Sequence, residues 1–173
     1  MAADTTTSRT PDARFLLSHP AHFVALGFGS GLAPRAPGTF GTLAALAIFV
    51  ALSQVIAPWI VGLLAVPLFA IGIWASAVTA RDLGVEDHGS IVIDEIAAFL
   101  PVALYANKSP LMLAVAFGLF RLFDIWKPFP IRQVEKRVPG GLGVMADDVI
   151  AALYACAAIW LLVTASHAYM ETT

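Results

Sequence analysis

The chain has 173 residues, 59% hydrophobic and 13% charged, whereas soluble domains carry roughly 25% charged residues; this indicates an integral membrane protein or an unusually apolar helical domain. The formal net charge is -2 and the sequence has no basic stripe, so we expect no nucleic-acid partner. The one cysteine, Cys156, excludes a disulfide framework and a metal site built from cysteines.

The first 13 residues are polar and lack the basic start and apolar core of a secretory signal. We therefore expect a disordered tail over residues 1–13, followed by one helical domain over residues 14–173.

Long apolar segments then follow one another along the chain. No charged residue lies between Arg35 and Arg81, and Pro58 divides this stretch into two segments of about 20 residues, near the length that a bilayer core requires. No segment alternates as a strand does, so the sequence predicts an all-α fold. We expect a compact helical bundle that crosses a membrane several times, with about four or five hydrophobic helices. The predicted helices cover residues 39–57, 59–79, 90–105, 110–126 and 147–166.

The basic residues are distributed unevenly between the two sides of this predicted bundle. If the N-terminus is cytoplasmic and all five segments cross, nine of the ten Lys and Arg residues share one side, and only Lys108 lies opposite. The positive-inside pattern then identifies the shared side as cytoplasmic. The same arrangement brings three acidic clusters to that face: Asp82, Glu86, Asp87, Asp94 and Glu95; then Asp124; then Asp147 and Asp148.

These clusters hold eight of the twelve acidic residues of the chain. A charge beside hydrocarbon loses its hydration, so carboxylates in such places are costly and usually functional. Two uses fit: a hard divalent cation bound by carboxylate oxygens, or a proton or ion pathway.

A glycine-rich stretch, GFGSGLAPRAPGTFGT, covers residues 27–42 and leads into the first apolar helix. Glycines let backbone N–H groups approach an anion closely, so the stretch suits a phosphate. It lacks the Gly-Lys-Ser/Thr end of a Walker A loop. A tight turn with small residues for helix packing is the alternative interpretation.

Residues 81–95 place carboxylates on a turn and on the first turn of a helix. Asp94 and Glu95 lie ~100° apart around that helix, so both reach one site only from its end or under a folded loop. A helix-capping role is the alternative. His88, among these acids, suits either a structural or an acid/base role.

Residues 120–131 carry Arg121, Asp124 and Lys127 at intervals of three, on adjoining parts of one helical face. This arrangement favours a metal bound by Asp124 and phosphate oxygens bound by the two basic residues, and a self-neutralised surface ladder is the alternative. In residues 140–148 we expect a glycine-rich loop to deliver Asp147 and Asp148 to the start of a helix, where one Asp would suffice as a cap.

Other hydrolytic and metal signatures are absent from the sequence. It has no His-Glu-x-x-His, no Gly-x-Ser-x-Gly and no His/Cys ligand set for zinc. The remaining motifs combine carboxylate side chains, glycine-rich loops and flanking basic residues. This combination is typical of phosphoryl chemistry with magnesium.

Four motifs, in this order and spacing, resemble those of the phosphatidylglycerophosphatase A family: GFGSGLAPRAPGTFGTL, GVEDHGSIVIDE, FRLFDIWKPFPIR and GGLGVMADD. They extend from about Phe23 to Ala152. The resemblance implies a magnesium-dependent enzyme of the bacterial inner membrane that removes the terminal phosphate of phosphatidylglycerol phosphate, giving phosphatidylglycerol. Family members often have Gly where this chain has Ala98 and Ala152, and we expect closer side-chain packing there.

On this basis we expect Mg²⁺ and a phospholipid substrate at the cytoplasmic face, with water attacking the phosphate in line and a carboxylate or His88 moving the proton. A covalent aspartyl-phosphate stays open. The expected catalytic residues are Asp94, Glu95, His88, Asp124 and Asp148. The expected ligands of the substrate phosphate are Arg121, Lys127, Arg35 and Ser30. The candidate metal ligands are Asp82, Asp87, Asp94, Glu95, Asp124, Asp147 and Asp148.

Two other functions stay open at this point. A cytidine-diphosphate-alcohol phosphotransferase also clusters Asp at a membrane face, but its D-G-x-x-A-R … G-x-x-x-D-x-x-x-D pattern is absent here. An ion or proton transporter would use the intramembrane acids, but transporters often show two similar halves, and this sequence has no internal repeat.

Overall fold

The computed structural model of the chain describes residues 10–106 and 109–172, without the side chains at positions 136, 169, 171 and 172. Residues 1–9 of the predicted tail, and Lys108, lie outside the described residues. The first helix begins at Ala13, the last residue of that predicted tail, and the Asp12 side chain accepts a 2.8 Å hydrogen bond from the Phe15 N–H. This is an N-cap, which satisfies one of the unpaired donors of the first turn.

Every regular element in the described residues is helical and no strand is present among them, which confirms the all-α prediction. A short 3-10 helix over Gly27–Leu32 follows the first two α-helices. The α-helices are α1 (Ala13–Ser18), α2 (Pro20–Ala25), α3 (Pro37–Leu52), α4 (Pro58–Leu63), α5 (Ala65–Leu83), α6 (Ile93–Tyr105), α7 (Pro110–Trp126), α8 (Ile131–Arg137) and α9 (Gly140–Thr172).

Helix α6 forms the centre of the bundle. It contacts α3, α4, α5, α7 and α9, and Ile96, Phe99 and Leu100 along it are fully buried. A largely apolar helix is stable inside a protein core or a membrane, and here other helices surround it. The first turn of α6 carries Asp94 and Glu95, so this packing holds two carboxylates inside the bundle rather than on its surface.

Helix boundaries follow proline positions. Helix α7 has the predicted bounds, and it begins at Pro110, which suits the first turn because that position needs no N–H donor. The predicted helix over residues 59–79 is instead divided between α4 and α5. Pro67 cannot donate a hydrogen bond to the carbonyl of Leu63, four residues earlier, so the helix breaks there.

Two helical stretches among the described residues are long and apolar enough to cross a membrane: Pro58–Leu83, 26 residues, and Gly140–Ala168, 29 residues. Helix α3, with 16 residues, extends only roughly 24 Å and is shorter than a bilayer core. Large apolar side chains on both stretches are exposed, among them Trp59 and Trp160. These features fit a membrane protein, and a total of four or five crossings stays a prediction.

The prediction of a glycine-rich loop before Asp147 is wrong. Helix α9 already begins at Gly140 and carries Asp147 and Asp148 about two turns from its start. A Cβ at Gly141 would overlap the carbonyl oxygen of Ile73 in α5. Its missing side chain therefore lets α9 lie directly against the α5 backbone, as small residues do between membrane helices.

Candidate active site

Three carboxylates meet where the first turn of α6 crosses α9. One oxygen from each of Asp94, Glu95 and Asp148 lies within 4.8 Å of the other two. Opposite ligands of one Mg²⁺ stand about 4.2 Å apart, because each Mg²⁺–oxygen distance is about 2.1 Å. The group therefore matches a single hard cation after small movements of the side chains.

These three carboxylates are sheltered and short of hydrogen bonds. Asp148 is 2% exposed and Glu95 9%. Asp94 Oδ1, Glu95 Oε2 and Asp148 Oδ2 are each buried, and none has a hydrogen-bond partner among the described residues. A buried carboxylate oxygen without a donor or a counter-charge is costly. An oxygen-binding cation at this point would satisfy all three residues together, so the donor set fits Mg²⁺.

Helix α7 brings one base and one further acid to this group. The Arg121 guanidinium contacts the Asp124 carboxylate, and its Nη1 lies 3.5 Å from Glu95 Oε1. Asp124 also interacts electrostatically with Asp148. The side chain of Arg121 is 14% exposed and reaches a second helix. It is therefore not part of a surface ladder along α7, and it neutralises part of the buried acidic charge.

Lys127, at the end of α7, holds a second ionic group. Its Nζ lies 2.8 Å from Asp147 Oδ2 on α9 and 3.1 Å from Glu135 Oε1 on α8. Burial lowers the pKa of Lys127, but the carboxylates of Asp147 and Glu135 outweigh it and raise that pKa above its usual range. The ammonium stays charged, and the two carboxylates that contact it among the described residues occupy two of its three N–H donors.

Gly38, in the first turn of α3, lies against Glu95 of this group. A Cβ at this position would overlap Glu95 Oε1 and would stand 3.1 Å from Arg121 Nη1. The glycine-rich stretch therefore does bring a helix N-terminus next to the acidic group, and its close approach depends on the missing side chain. The partial positive charge of that N-terminus favours anions beside it.

Five of the seven candidate metal ligands thus lie in or beside this group. Asp87 lines a neighbouring cleft of about 240 Å³ with Asp147 and Glu135. Asp82 belongs to a different group, because its Oδ2 lies 3.1 Å from His22 Nε2 and its Oδ1 accepts a hydrogen bond from Arg81 Nε. The five are Asp94, Glu95, Asp124, Asp147 and Asp148.

The other predicted residues have local roles in the structure. The Ser30 hydroxyl donates to the Gly27 carbonyl within its own loop, 2.8 Å, and Arg35 is exposed. His88 lies beside Asp87, and its Nδ1 accepts a 3.2 Å hydrogen bond from the Ser90 N–H. None of these contacts joins Ser30, Arg35 or His88 to the three carboxylates.

Sequence reasoning did not single out Glu135 and Gly38. Glu135 stands in the charged run RQVEKR, where nothing distinguishes it from its neighbours. Gly38 was one of several glycines in its stretch, and only the crossing of α3 and α6 shows which of them touches Glu95.

A group of carboxylates beside a guanidinium and an ammonium is suited to bind a divalent cation and a phosphate, as enzymes that act on phosphate esters do. Comparison with known proteins agrees with this class. The family model described as phosphatidylglycerophosphatase A matches residues 23–163. The chain therefore belongs to the phosphatidylglycerophosphatase A family.

Individual relatives cover most of the chain. A phosphatidylglycerophosphatase A of Haemophilus influenzae is 42% identical over 150 residues, which are 86% of this chain and 92% of that protein. The Escherichia coli phosphatidylglycerophosphatase A is 39% identical over 151 residues, 86% and 87% of the two chains. A Bacteroides thetaiotaomicron protein, provisionally named a phosphatidylinositol-3-phosphatase, is 38% identical over 138 residues, 76% and 86%. No solved structure matches the chain at the significance that these relatives reach.

Proposed function

We propose that this protein is a magnesium-dependent lipid phosphatase that converts phosphatidylglycerol phosphate to phosphatidylglycerol and inorganic phosphate. The observation that carries the proposal is the buried group of Asp94, Glu95 and Asp148, each with one unpartnered oxygen among the described residues, beside the Arg121 guanidinium. The names of two relatives that match over most of their length supply the substrate.

Asp94, Glu95 and Asp148 are the residues that hold Mg²⁺ in this proposal. When bound, Mg²⁺ withdraws charge from the phosphate oxygens and so assists attack by water. The same three carboxylates repel the phosphate when no cation is present, so the substrate and the cation bind together.

Positive groups of the chain then orient the phosphate. The Arg121 guanidinium has five N–H donors, and its Nε has no hydrogen-bond partner among the described residues. The Lys127 ammonium, which contacts Asp147 next to Asp148, and the N-terminal turn of α3 at Gly38 add further positive charge. Groups fixed in this way stabilise the charge that develops on the phosphate oxygens in the transition state.

We assign the proton transfer to Asp124, which contacts Arg121 and neighbours Asp148 but lies outside the group of three carboxylates. As the water oxygen bonds to phosphorus, Asp124 takes one proton from the water. The bond between phosphorus and the glycerol oxygen breaks, and the proton passes to that leaving oxygen. The products are inorganic phosphate and an uncharged hydroxyl on the lipid headgroup.

The proposed location is the cytoplasmic face of a bacterial inner membrane. Arg121 contacts Glu95 at the site, and Lys127 contacts Asp147, the residue before Asp148. Arg137 lines the cleft beside Asp147, so basic residues collect at this end of the bundle. Basic residues favour the cytoplasmic side of a membrane protein. This orientation supports a headgroup that enters from the cytoplasm while its acyl chains stay in the bilayer.

A panel of lipid phosphates tests the proposal. Purified protein is incubated in detergent with phosphatidylglycerol phosphate, phosphatidic acid or phosphatidylinositol 3-phosphate, with Mg²⁺ or with EDTA, and released phosphate is measured. We expect release from phosphatidylglycerol phosphate to be fastest and to require Mg²⁺. Faster release from phosphatidylinositol 3-phosphate would reassign the substrate, and no release from any of the three would favour the transporter alternative.

A further inference from the structure

An apolar groove of about 380 Å³ extends along α6 and α9 away from the carboxylates, beginning at Val149, the residue after Asp148. Ala98 follows Asp94 by four residues on α6, and Ala152 follows Asp148 by four residues on α9, so both lie about 6 Å further along the helix axes. Phe69 of α5 forms a third wall. No residue that lines this groove carries a charge, so it suits hydrocarbon rather than a headgroup.

The groove opens on the outer surface of the bundle. Val66 and Leu153 lie at its edge and are 68% and 65% exposed. They belong to Pro58–Leu83 and Gly140–Ala168, the two stretches that are long and apolar enough to cross a membrane. The opening therefore faces the acyl chains of the bilayer. The end of the groove nearest Ala98 and Ala152 leads to the acidic group.

We propose that this groove binds one acyl chain of the phospholipid substrate while the headgroup lies at Asp94, Glu95 and Asp148; the inference rests on the proposed function. The acyl chain contacts Ala98 and Ala152 near the headgroup and Cys156 further from it. Cys156 lies eight residues, about 12 Å, beyond Asp148 along α9. A headgroup glycerol and the phosphate that joins it to the lipid fill the space between the terminal phosphate and this apolar region.

In this arrangement the protein recognises the acyl chain of the substrate as well as its headgroup. Each methylene that leaves water for the groove adds favourable free energy, and the small side chains of Ala98 and Ala152 leave the room for it. A larger side chain at either position therefore impairs binding of long-chain lipid without touching the carboxylates. A substrate too short to reach the groove should not respond.

Kinetics on two chain lengths test this inference. The variants Ala98→Leu and Ala152→Leu are assayed on dioleoyl and dihexanoyl phosphatidylglycerol phosphate. We expect kcat/KM to fall at least fivefold on the dioleoyl substrate and less than twofold on the dihexanoyl one. The matched control is Ala157→Leu, at an exposed position of α9 that does not line the groove, and it should leave both values unchanged.

The outcomes separate the two proposals. Equal losses on both chain lengths, or no loss on either, contradict the acyl-chain groove and leave the phosphatase intact. Absence of phosphate release from both substrates by the unaltered protein contradicts the proposed function, and this inference with it.

Alkylation of Cys156 gives a second measurement, which is made on the unaltered protein. Cys156 is half-buried in the groove, and it is the one cysteine of the chain. Protein in phosphatidylcholine nanodiscs is treated with an N-alkylmaleimide, with or without a phosphonate analogue of dioleoyl phosphatidylglycerol phosphate. We expect the analogue to slow alkylation at least threefold and its dihexanoyl counterpart to have no effect; Cys156→Ser identifies background labelling. An unchanged rate with the dioleoyl analogue would show that bulk lipid alone fills the groove, and would overturn the inference.

Discussion

Gly38 on α3 and Glu95 on α6 touch so closely that no methyl group fits between them. The absence of a side chain at Gly38 sets how near the N-terminal turn of α3 comes to the carboxylate group. A Cβ at Gly38 would also stand 3.1 Å from Arg121 Nη1, so side chains from α6 and α7 both meet the α3 backbone at this glycine.

Gly38→Ala should therefore lower kcat/KM for phosphate release by at least about tenfold, equivalent to about 1.4 kcal/mol of transition-state stabilisation. The added methyl group displaces Glu95 or separates α3 from α6. The matched control is Gly118→Ala, because a Cβ at Gly118 on α7 meets nothing within 4 Å. Wild-type kinetics for Gly38→Ala would show that the position of Glu95 does not matter to catalysis.

Arg121→Lys should also lower kcat/KM about tenfold or more, although it keeps the charge. A lysine ammonium has no planar fork of donors, so it cannot contact Asp124 and Glu95 and still present a donor to the phosphate in the same geometry. Steady-state phosphate release and melting temperature are measured together. If Arg121 serves only as a structural ion pair, Arg121→Lys keeps normal kinetics, and Arg121→Ala loses stability and activity in parallel.

Lys127→Met should lower the melting temperature, because Asp147 would remain buried without its counter-charge. The sign of the pH dependence follows from the raised pKa of Lys127. A raised lysine pKa gives stabilisation that is complete below the unfolded value of about 10.4 and is lost only as the pH rises through the higher folded value. The difference in melting temperature should thus be constant from about pH 7 to pH 9. A difference that disappears within this range would contradict the ion pair.

Asp82→Asn should keep catalysis and its dependence on Mg²⁺ while it lowers the melting temperature by a few degrees. The Asp82 carboxylate lies 3.1 Å from the buried His22 ring, so the pair ties α5 to α2 rather than serving the carboxylate site. Phosphate release at several Mg²⁺ concentrations checks this. A higher Mg²⁺ requirement at normal stability would instead indicate that Asp82 is a metal ligand.

The sequence predicted those features that depend on local chemistry. Helix α7 begins at Pro110 and ends at Trp126, before Lys127-Pro128. Proline favours the first turn of a helix and cannot continue one, so it sets both ends. The meeting of Asp94 with Asp148 followed from the expected side of the membrane for each segment.

Features that depend on how two helices cross were beyond local reasoning. Gly140 and the next residues look like a loop when their composition is considered alone. They are helical because α9 lies against Ile73 of α5, where no side chain fits at Gly141. The contacts of Gly38 with Glu95 and of Lys127 with Glu135 likewise arise from tertiary packing, which no spacing in the sequence records.

In our proposal Asp94, Glu95 and Asp148 hold one Mg²⁺ for phosphate release. An Mg²⁺ titration of the wild-type protein and Asp148→Asn on phosphatidylglycerol phosphate tests this role most directly. We expect wild-type activity to vanish in EDTA and return with Mg²⁺, and Asp148→Asn to lose at least about 100-fold in kcat. Its melting temperature without metal should be equal or higher, because Asn removes a buried, unpaired charge at nearly constant volume. Phosphate release that persists in EDTA, or an Asp148→Asn variant with normal turnover, would contradict the claim.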